Sequence, residues 1–248
     1  MIGIIGFGRF GGLMSRYLAR DFDVTVFDSG GKAPEIEATG ALPASFERVC
    51  QEDVIILSVP ISVFKRTLTK IQPLIRKDVL VVDVCSVKAY PVSLMHEILP
   101  GGVSILATHP MFGPDSAADS LKGRKIVLCK ERMEEEQYQK IKSYLDEKGL
   151  DTIEASPDEH DRQISVSLAL THFIGRSLSE FGAEALSIDT EGYKRLRHVL
   201  EVVENDTWQL FVDMHRYNPH ARQHRSEMIA AINRVSSKLE ESMEEGHD

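Results

Sequence analysis

Short apolar runs alternate with stretches of helical spacing through about residue 154, and beyond that point the strand-like runs stop. Ile2–Ile5, Asp23–Phe27, Val54–Ser58, Val79–Asp83, Val103–Ala107, Lys125–Cys129 and Thr152–Glu154 read as strands. Val54-Ile55-Ile56-Leu57 and Val79-Leu80-Val81-Val82 lack the alternation of a half-exposed strand, so both of their faces are expected to be covered. Between these runs, Phe10–Arg20, Val63–Leu74, Ser93–Leu99 and Glu134–Lys148 place apolar residues three and four apart, the helical period. Strand and helix in alternation predict an α/β, doubly wound, mainly parallel sheet clothed by helices.

From Ser156-Pro157-Asp158-Glu159 the texture changes. A capping serine, a proline in the first turn and two acids matched to the helix dipole open a long helical pattern. No strand of comparable strength follows, so an all-helical C-terminal domain is expected over residues 155–248, after a dinucleotide-binding domain over 1–154. In the last helix Met228, Ile232, Val235, Leu239 and Met243 step by three and four, a seam that predicts a homodimer through the helical domain. Glu240–Asp248 reads as a fraying acidic tail.

The richest motif comes first in the chain. Gly6-Phe7-Gly8-Arg9-Phe10-Gly11 sits between a strand ending at Ile5 and a helix starting near Phe10, which lays the turn over a helix N-terminus. Unpaired N–H groups and the helix dipole attract a pyrophosphate there. Gly6 permits the tight turn, Gly8 lets a phosphate reach the backbone, and Gly11 lets the helix pack on its strand. The next strand ends on Asp28, about 20 residues on, where an acid binds the ribose hydroxyls of NAD and repels a 2′-phosphate. Ser29 and Lys32 soften that repulsion and keep NADP open. These features make the sheet Rossmann-type, with the six turn residues and Asp28 as cofactor ligands.

Composition narrows the partners. The chain has 248 residues, 42% of them hydrophobic, enough for a real core, and a net charge of −9 that argues against nucleic acid or an anionic membrane. An anionic small-molecule substrate therefore needs a local cluster of cations. Cys50, Cys85 and Cys129 are widely spaced without a CxxC pair, which fits a reducing cytoplasm, and no apolar run approaches the ~18 residues of a membrane span. His215, His220 and His224 lack the companions of a metal site, so no metal is expected.

Ligands of such a sheet lie beyond the carboxyl ends of its strands. Ser58-Val59-Pro60 follows one strand, and Ser58 and Pro60 are expected to border the nicotinamide side. Asp83-Val84-Cys85-Ser86-Val87-Lys88 follows another and offers the Ser86 hydroxyl and the Lys88 ammonium. His109, in Thr108-His109-Pro110-Met111-Phe112-Gly113-Pro114, follows a third, on a loop stiffened by prolines. An imidazole there beside Ser86 has the placement of a general base.

With these motifs in hand, the chain resembles the prephenate/arogenate dehydrogenases of tyrosine biosynthesis. The likeness runs through the glycine turn, Asp83–Lys88, His109–Pro114, Ser156-Pro157-Asp158-Glu159-His160-Asp161-Arg162 and Leu170-Thr171-His172-Phe173. Tyr217-Asn218-Pro219-His220-Ala221 is similar to the plant and cyanobacterial subgroup. The resemblance implies NAD-dependent oxidative decarboxylation of prephenate and/or arogenate, with His109 accepting a hydrogen bond from the ring C4 hydroxyl and Ser86 touching the same hydroxyl. It makes His172 a substrate contact and calls for a helical-domain arginine on a substrate carboxylate, for which Arg195, Arg197, Arg222 and Arg225 compete, with Arg195 and Arg197 taken first and Lys88 beside them. It also implies that a chain opening on the first strand has no room for a fused chorismate mutase. Two other readings share the glycine turn: a β-hydroxyacid or imine reductase, with Lys194 as its lysine, and a dinucleotide sensor without turnover.

Overall fold

The computed structural model describes residues 1–245, and its backbone contacts divide the chain into two compact units, residues 1–160 and the residues from Asp161 onward. Unit one is an eight-stranded sheet. Its strands are β1 Ile2–Ile5, β2 Val24–Phe27, β3 Leu42–Pro43, β4 Val54–Leu57, β5 Leu80–Asp83, β6 Ser104–Pro110, β7 Lys125–Arg132 and β8 Asp151–Glu154. They lie in the order β3-β2-β1-β4-β5-β6-β7-β8. All neighbours pair parallel except β6 with β7.

The order reverses direction between β1 and β4, the crevice where open α/β sheets bind ligands. Six helices cover the sheet: α1 Arg9–Leu18, α2 Ala33–Glu37, α3 Phe46–Val49, α4 Ile61–Ile71, α5 Ala89–Ile98 and α6 Glu135–Glu147. Ile4, Val26, Ile55, Leu57, Val81 and Ile105 are all but inaccessible, as their unalternating sequence requires of strands covered on both faces.

In the second unit α7 Pro157–Ile164, which starts in the first, runs through a π-helical turn, Ser165–Leu170, into α8 Thr171–Phe181. α9 Glu191–Glu204, α10 Trp208–Tyr217 and α11 Ala221–Glu245 follow. Ser156 Oγ accepts the Glu159 N–H at 3.2 Å, the cap that its spacing implies. Among the described residues no helix is long and apolar enough to cross a membrane.

Four local readings change. β6 extends three residues past Ala107, so His109 lies inside a strand rather than on a loop, because the antiparallel partner β7 pairs Val127 with His109 and Ile126 with Pro110. α2, α3 and the two-residue β3 are too short to leave a periodic signal. α5 begins four residues before Ser93, since Pro91 sits in its first turn, where the missing N–H costs nothing. α11 holds through Glu245 where fraying is expected from Glu240, and the rest of that tail, residues 246–248, lies outside the described residues.

Candidate functional site

Two clusters of chemistry line the carboxyl edge of the sheet. The first surrounds the glycine turn. Gly6 has φ +104°, and a Cβ there would stand 2.1 Å from the Ser58 carbonyl, so the chains leaving β1 and β4 touch in a way that admits only glycine. A Cβ on Gly11 would meet the Gly6 carbonyl at 2.2 Å, whereas one on Gly8 would meet nothing within 4 Å. The first bond of α1 runs from Gly12 N–H to Gly8 C=O at 3.0 Å, and no side chain caps the helix. Its leading N–H groups therefore project past Gly8 toward whatever occupies that space.

Beside the turn lies a cleft of about 680 Å³ lined by Gly6, Gly8, Asp28, Lys32, Ser58 and Pro60 among others. Asp28 Oδ2 accepts the Phe7 N–H and Oδ1 the Gly30 N–H, both at 2.8 Å. Lys32 Nζ donates to the Phe7 carbonyl at 2.9 Å. These bonds fix the acid at the tip of β2 while each of its oxygens keeps accepting capacity. An uncapped helix N-terminus, an open Gly8 and a fixed acid fit the pyrophosphate and ribose of a dinucleotide.

The other members of the turn point elsewhere. The Phe7 ring is packed in the core. Arg9 Nη2 pairs with both oxygens of Asp115 at 2.6 and 2.8 Å, which ties the turn to the segment after β6. Phe10 lies 6.1 Å from the Phe112 ring and faces a separate apolar groove along the sheet.

The second cluster is two strands away. Leu57 of β4 is level with Asp83 of β5, and Asp83 with Ala107 of β6, so about 10 Å of sheet separates the Ser58 end from the His109 end. Asp83 and Lys88 are wholly buried and joined by a short ion pair. Lys88 Nζ also donates to the Thr108 carbonyl at 2.6 Å, and Thr108 Oγ1 donates to the Asp83 carbonyl at 2.7 Å. Burial pushes the Asp83 carboxyl upward, and the Lys88 ammonium opposes it. The structure thus brings Lys88 to the seam between two strand ends rather than to open space.

That seam positions Ser86 and His109. Ser86 Oγ is buried with no hydrogen-bond partner, an acceptor and donor left for something the protein does not itself provide. His109 is 6% exposed, and its Nδ1 lies 2.8 Å from Nε2 of His160, itself 3% exposed. Burial holds the His109 imidazole well below its ordinary titration range, with His160 and the Lys88 cation adding to the effect. It is neutral at neutral pH.

His160 is the residue that motif reading passes over. A signal was present: it stands one helical turn before the buried Ile164, on the inward stripe of α7, where a histidine needs a partner.

In the helical unit His172 is buried, with Nε2 at 3.5 Å from Asp206 Oδ2 and Nδ1 unpartnered. Burial, then the neighbouring Arg176, pushes its pKa down to about 4. Arg176 donates to the Asp206 carbonyl at 2.6 Å and stacks on the rings of Trp208 and Phe211. Arg195 is exposed, while Arg197, two residues on and so on another face of α9, is half-buried against Glu201 at 3.4 Å. Lys194, the lysine of the reductase reading, is exposed and paired with Glu191 and Asp189.

Comparison with known proteins adds names to this geometry. The family described as prephenate dehydrogenase, nucleotide-binding domain, matches residues 28–154, and one described as TYRAAT1-like, C-terminal domain, matches residues 177–248. Arogenate dehydrogenase 2, chloroplastic, of Arabidopsis thaliana is 31% identical over 96% of this chain and 69% of its own length. Arogenate dehydrogenase 1 of the same plant is 30% identical over 96% of this chain, which spans only 39% of that protein. A crystal structure of prephenate dehydrogenase from A. aeolicus with hydroxyphenyl propionate and NAD+ has the same fold, with a TM-score of 0.77 at 18% identity, covering 98% of this chain and 91% of that one.

Proposed function

The chain belongs to the prephenate dehydrogenase family, and from that premise we propose that it catalyses NAD-dependent oxidative decarboxylation of arogenate, prephenate or both, to tyrosine or 4-hydroxyphenylpyruvate. One observation carries the reading: a buried, neutral imidazole, His109, is fixed in a strand at the carboxyl edge of the sheet. In this role its Nε2 accepts a hydrogen bond from the ring hydroxyl and draws electron density from the carbon that bears it. Ser86 Oγ, buried and unpartnered, fits a second contact to the same hydroxyl.

The Gly6–Gly11 backbone, Asp28, Ser58 and Pro60 are the groups suited to hold the dinucleotide, with Asp28 favouring NAD and Lys32 leaving NADP open. When bound, NAD+ supplies the hydride acceptor, and loss of carbon dioxide from the ring yields an aromatic product. The chain's own share is placement and electrostatics, without a covalent intermediate. His172 and an arginine of α9, Arg195 or Arg197, are assigned to the anionic end of the substrate. Lys88 acts from behind, through the strand ends it joins.

We assign residues 1–154 to the dinucleotide and 155–248 to substrate binding and dimerisation. Ile232, Val235, Leu239 and Met243 of α11 are each more than half exposed, and a second copy is the partner of matching chemistry. Three buried free thiols support a reducing compartment such as the cytoplasm.

The test is anaerobic incubation with NAD+ and, in separate samples, arogenate and prephenate, following absorbance of the reduced cofactor. Reduction with at least one substrate is expected. A protein that binds NAD+ and reduces none with either would be a sensor, and the reading would fall.

A further inference from the structure

We propose that His160 is the positioning residue for His109: it accepts the Nδ1–H of His109 and so holds the tautomer whose Nε2 lone pair is free for a substrate hydroxyl. The inference rests on His109 being the hydrogen-bond acceptor of the proposed reaction. Its observational basis is separate from that reading. Nδ1 of His109 and Nε2 of His160 are 2.8 Å apart, and the rings meet edge to face at 71° with centroids 5.0 Å apart. Both side chains are buried.

Two imidazole nitrogens at that distance share one proton, so one nitrogen donates and the other accepts. If His160 donated, His109 would carry its own proton on Nε2 and present a donor to the substrate. If His160 accepts, Nε2 is a lone pair. Only the second arrangement lets His109 pull on a hydroxyl.

The surroundings decide what kind of acceptor results. His109 is held in the β6–β7 ladder opposite Val127, and the carbonyl just before it is taken by Lys88 Nζ at 2.6 Å. The charged and titratable groups facing it include the Lys88 ammonium, with Asp83 behind that ammonium, and the His160 ring. A carboxylate orienter would stabilise imidazolium. An imidazole beside a buried ammonium orients the ring without a full negative charge, which suits a hydrogen-bond acceptor that polarises the hydroxyl in the transition state.

The test combines spectroscopy with rescue. Two-bond ¹H–¹⁵N correlation spectra of the ¹⁵N-histidine enzyme, with His109 assigned through His109→Asn, are expected to show His109 protonated on Nδ1. His160→Leu should move that proton toward Nε2 and lower kcat ~10–100-fold, the size seen when a metal-bound histidine loses the group that orients it, with the KM for NAD+ unchanged. His160→Gln, whose side-chain carbonyl still accepts, should keep the Nδ1 tautomer and recover most of kcat. An Nε2–H tautomer in the unmutated enzyme, or a Gln variant as impaired as the Leu variant, overturns the proposal. Failure of the unmutated enzyme to turn over either substrate sinks the reaction assignment instead, and the spectrum still reads the tautomer.

Discussion

The sheet unit and the helical unit solve the burial problem differently. Both tie buried polar groups together, Asp83 with Lys88 and Thr108 or His109 with His160 in the first, Asn218 with Asp161 or Asp213 with Gln209 in the second, and they differ in apolar exposure. Five of the sheet unit's large apolar side chains are exposed. Among the described residues of the shorter helical unit there are twelve, including Phe181, Ile188, Trp208 and the outer seam of α11. The sheet unit uses the buried Asp83, Lys88 and Thr108 to set strand ends and leaves Ser86 Oγ unpartnered beside them. The helical unit leaves a larger apolar area in water, the kind of surface that marks a contact site.

The contrast breaks most visibly at His109. His109→Asn replaces the basic imidazole by a shorter amide with no proton affinity to draw on, at a rigid edge that otherwise stays intact, so kcat is expected to fall by ~10²–10⁴, the size of a lost general base, with little change in NAD+ affinity. The pH profile sharpens the point. Because burial lowers the His109 pKa, the group stays neutral and competent until pH falls through that depressed value, so the acid limb of kcat should lie below the ordinary ~6.5 of histidine. A limb at or above 6.5 would mean that the imidazole is not buried beside a cation.

Next in size is Lys88→Met. It leaves Asp83 buried without its counter-ion, which should cost about 3–5 kcal/mol of unfolding free energy in urea titration. Adding Asp83→Asn to Lys88→Met removes the stranded charge and should return part of that loss. Equal stability of the single and double variants would show that the pair is not what joins the two strand ends.

These experiments bear on residues that were unequally legible in the chain. The glycine turn, Asp28 and His109 could be read because each follows a strand whose apolar run announces its end, and the fold rule then locates the ligand edge. His109 was displaced from loop to strand because antiparallel pairing with Lys125–Arg132 is a long-range event that no local window contains. Lys88 reads in sequence as a substrate cation, since nothing in Ser86-Val87-Lys88 announces that its ammonium turns inward to Asp83 and the Thr108 carbonyl. His160 was hidden for a related reason: its partner lies 51 residues away, and its only local mark is an inward helix position.

The helical unit offers a smaller and distinct test. Val235 and Leu239 are exposed on α11, and a dimer that buries such side chains gains roughly 1.5–3 kcal/mol from each. Val235→Glu with Leu239→Glu should therefore convert a dimer to a monomer by light scattering while leaving NAD+ binding in place. A monomeric unmutated protein would leave the apolar seam unexplained and end the contrast drawn between the two units.

The smallest expected change in stability comes from one added methyl group, and it separates folding from binding within the same turn. Gly8 has φ −77° and ψ −169°, a conformation open to alanine, and a Cβ there meets no protein atom within 4 Å. Gly8→Ala should therefore leave the unliganded protein as stable or raise stability by about 0.4–1 kcal/mol through the unfolded chain. The methyl would stand where a phosphate must approach the N-terminus of α1, so the thermal shift given by NAD+ should shrink or vanish. Gly11→Ala, three residues away, would drive its Cβ into the Gly6 carbonyl and lower the melting temperature before any ligand is added. If Gly8→Ala binds NAD+ as tightly as the unmutated chain, the open space above Gly8 is not the pyrophosphate site, and the cleft beside Asp28 must hold its ligand by other contacts.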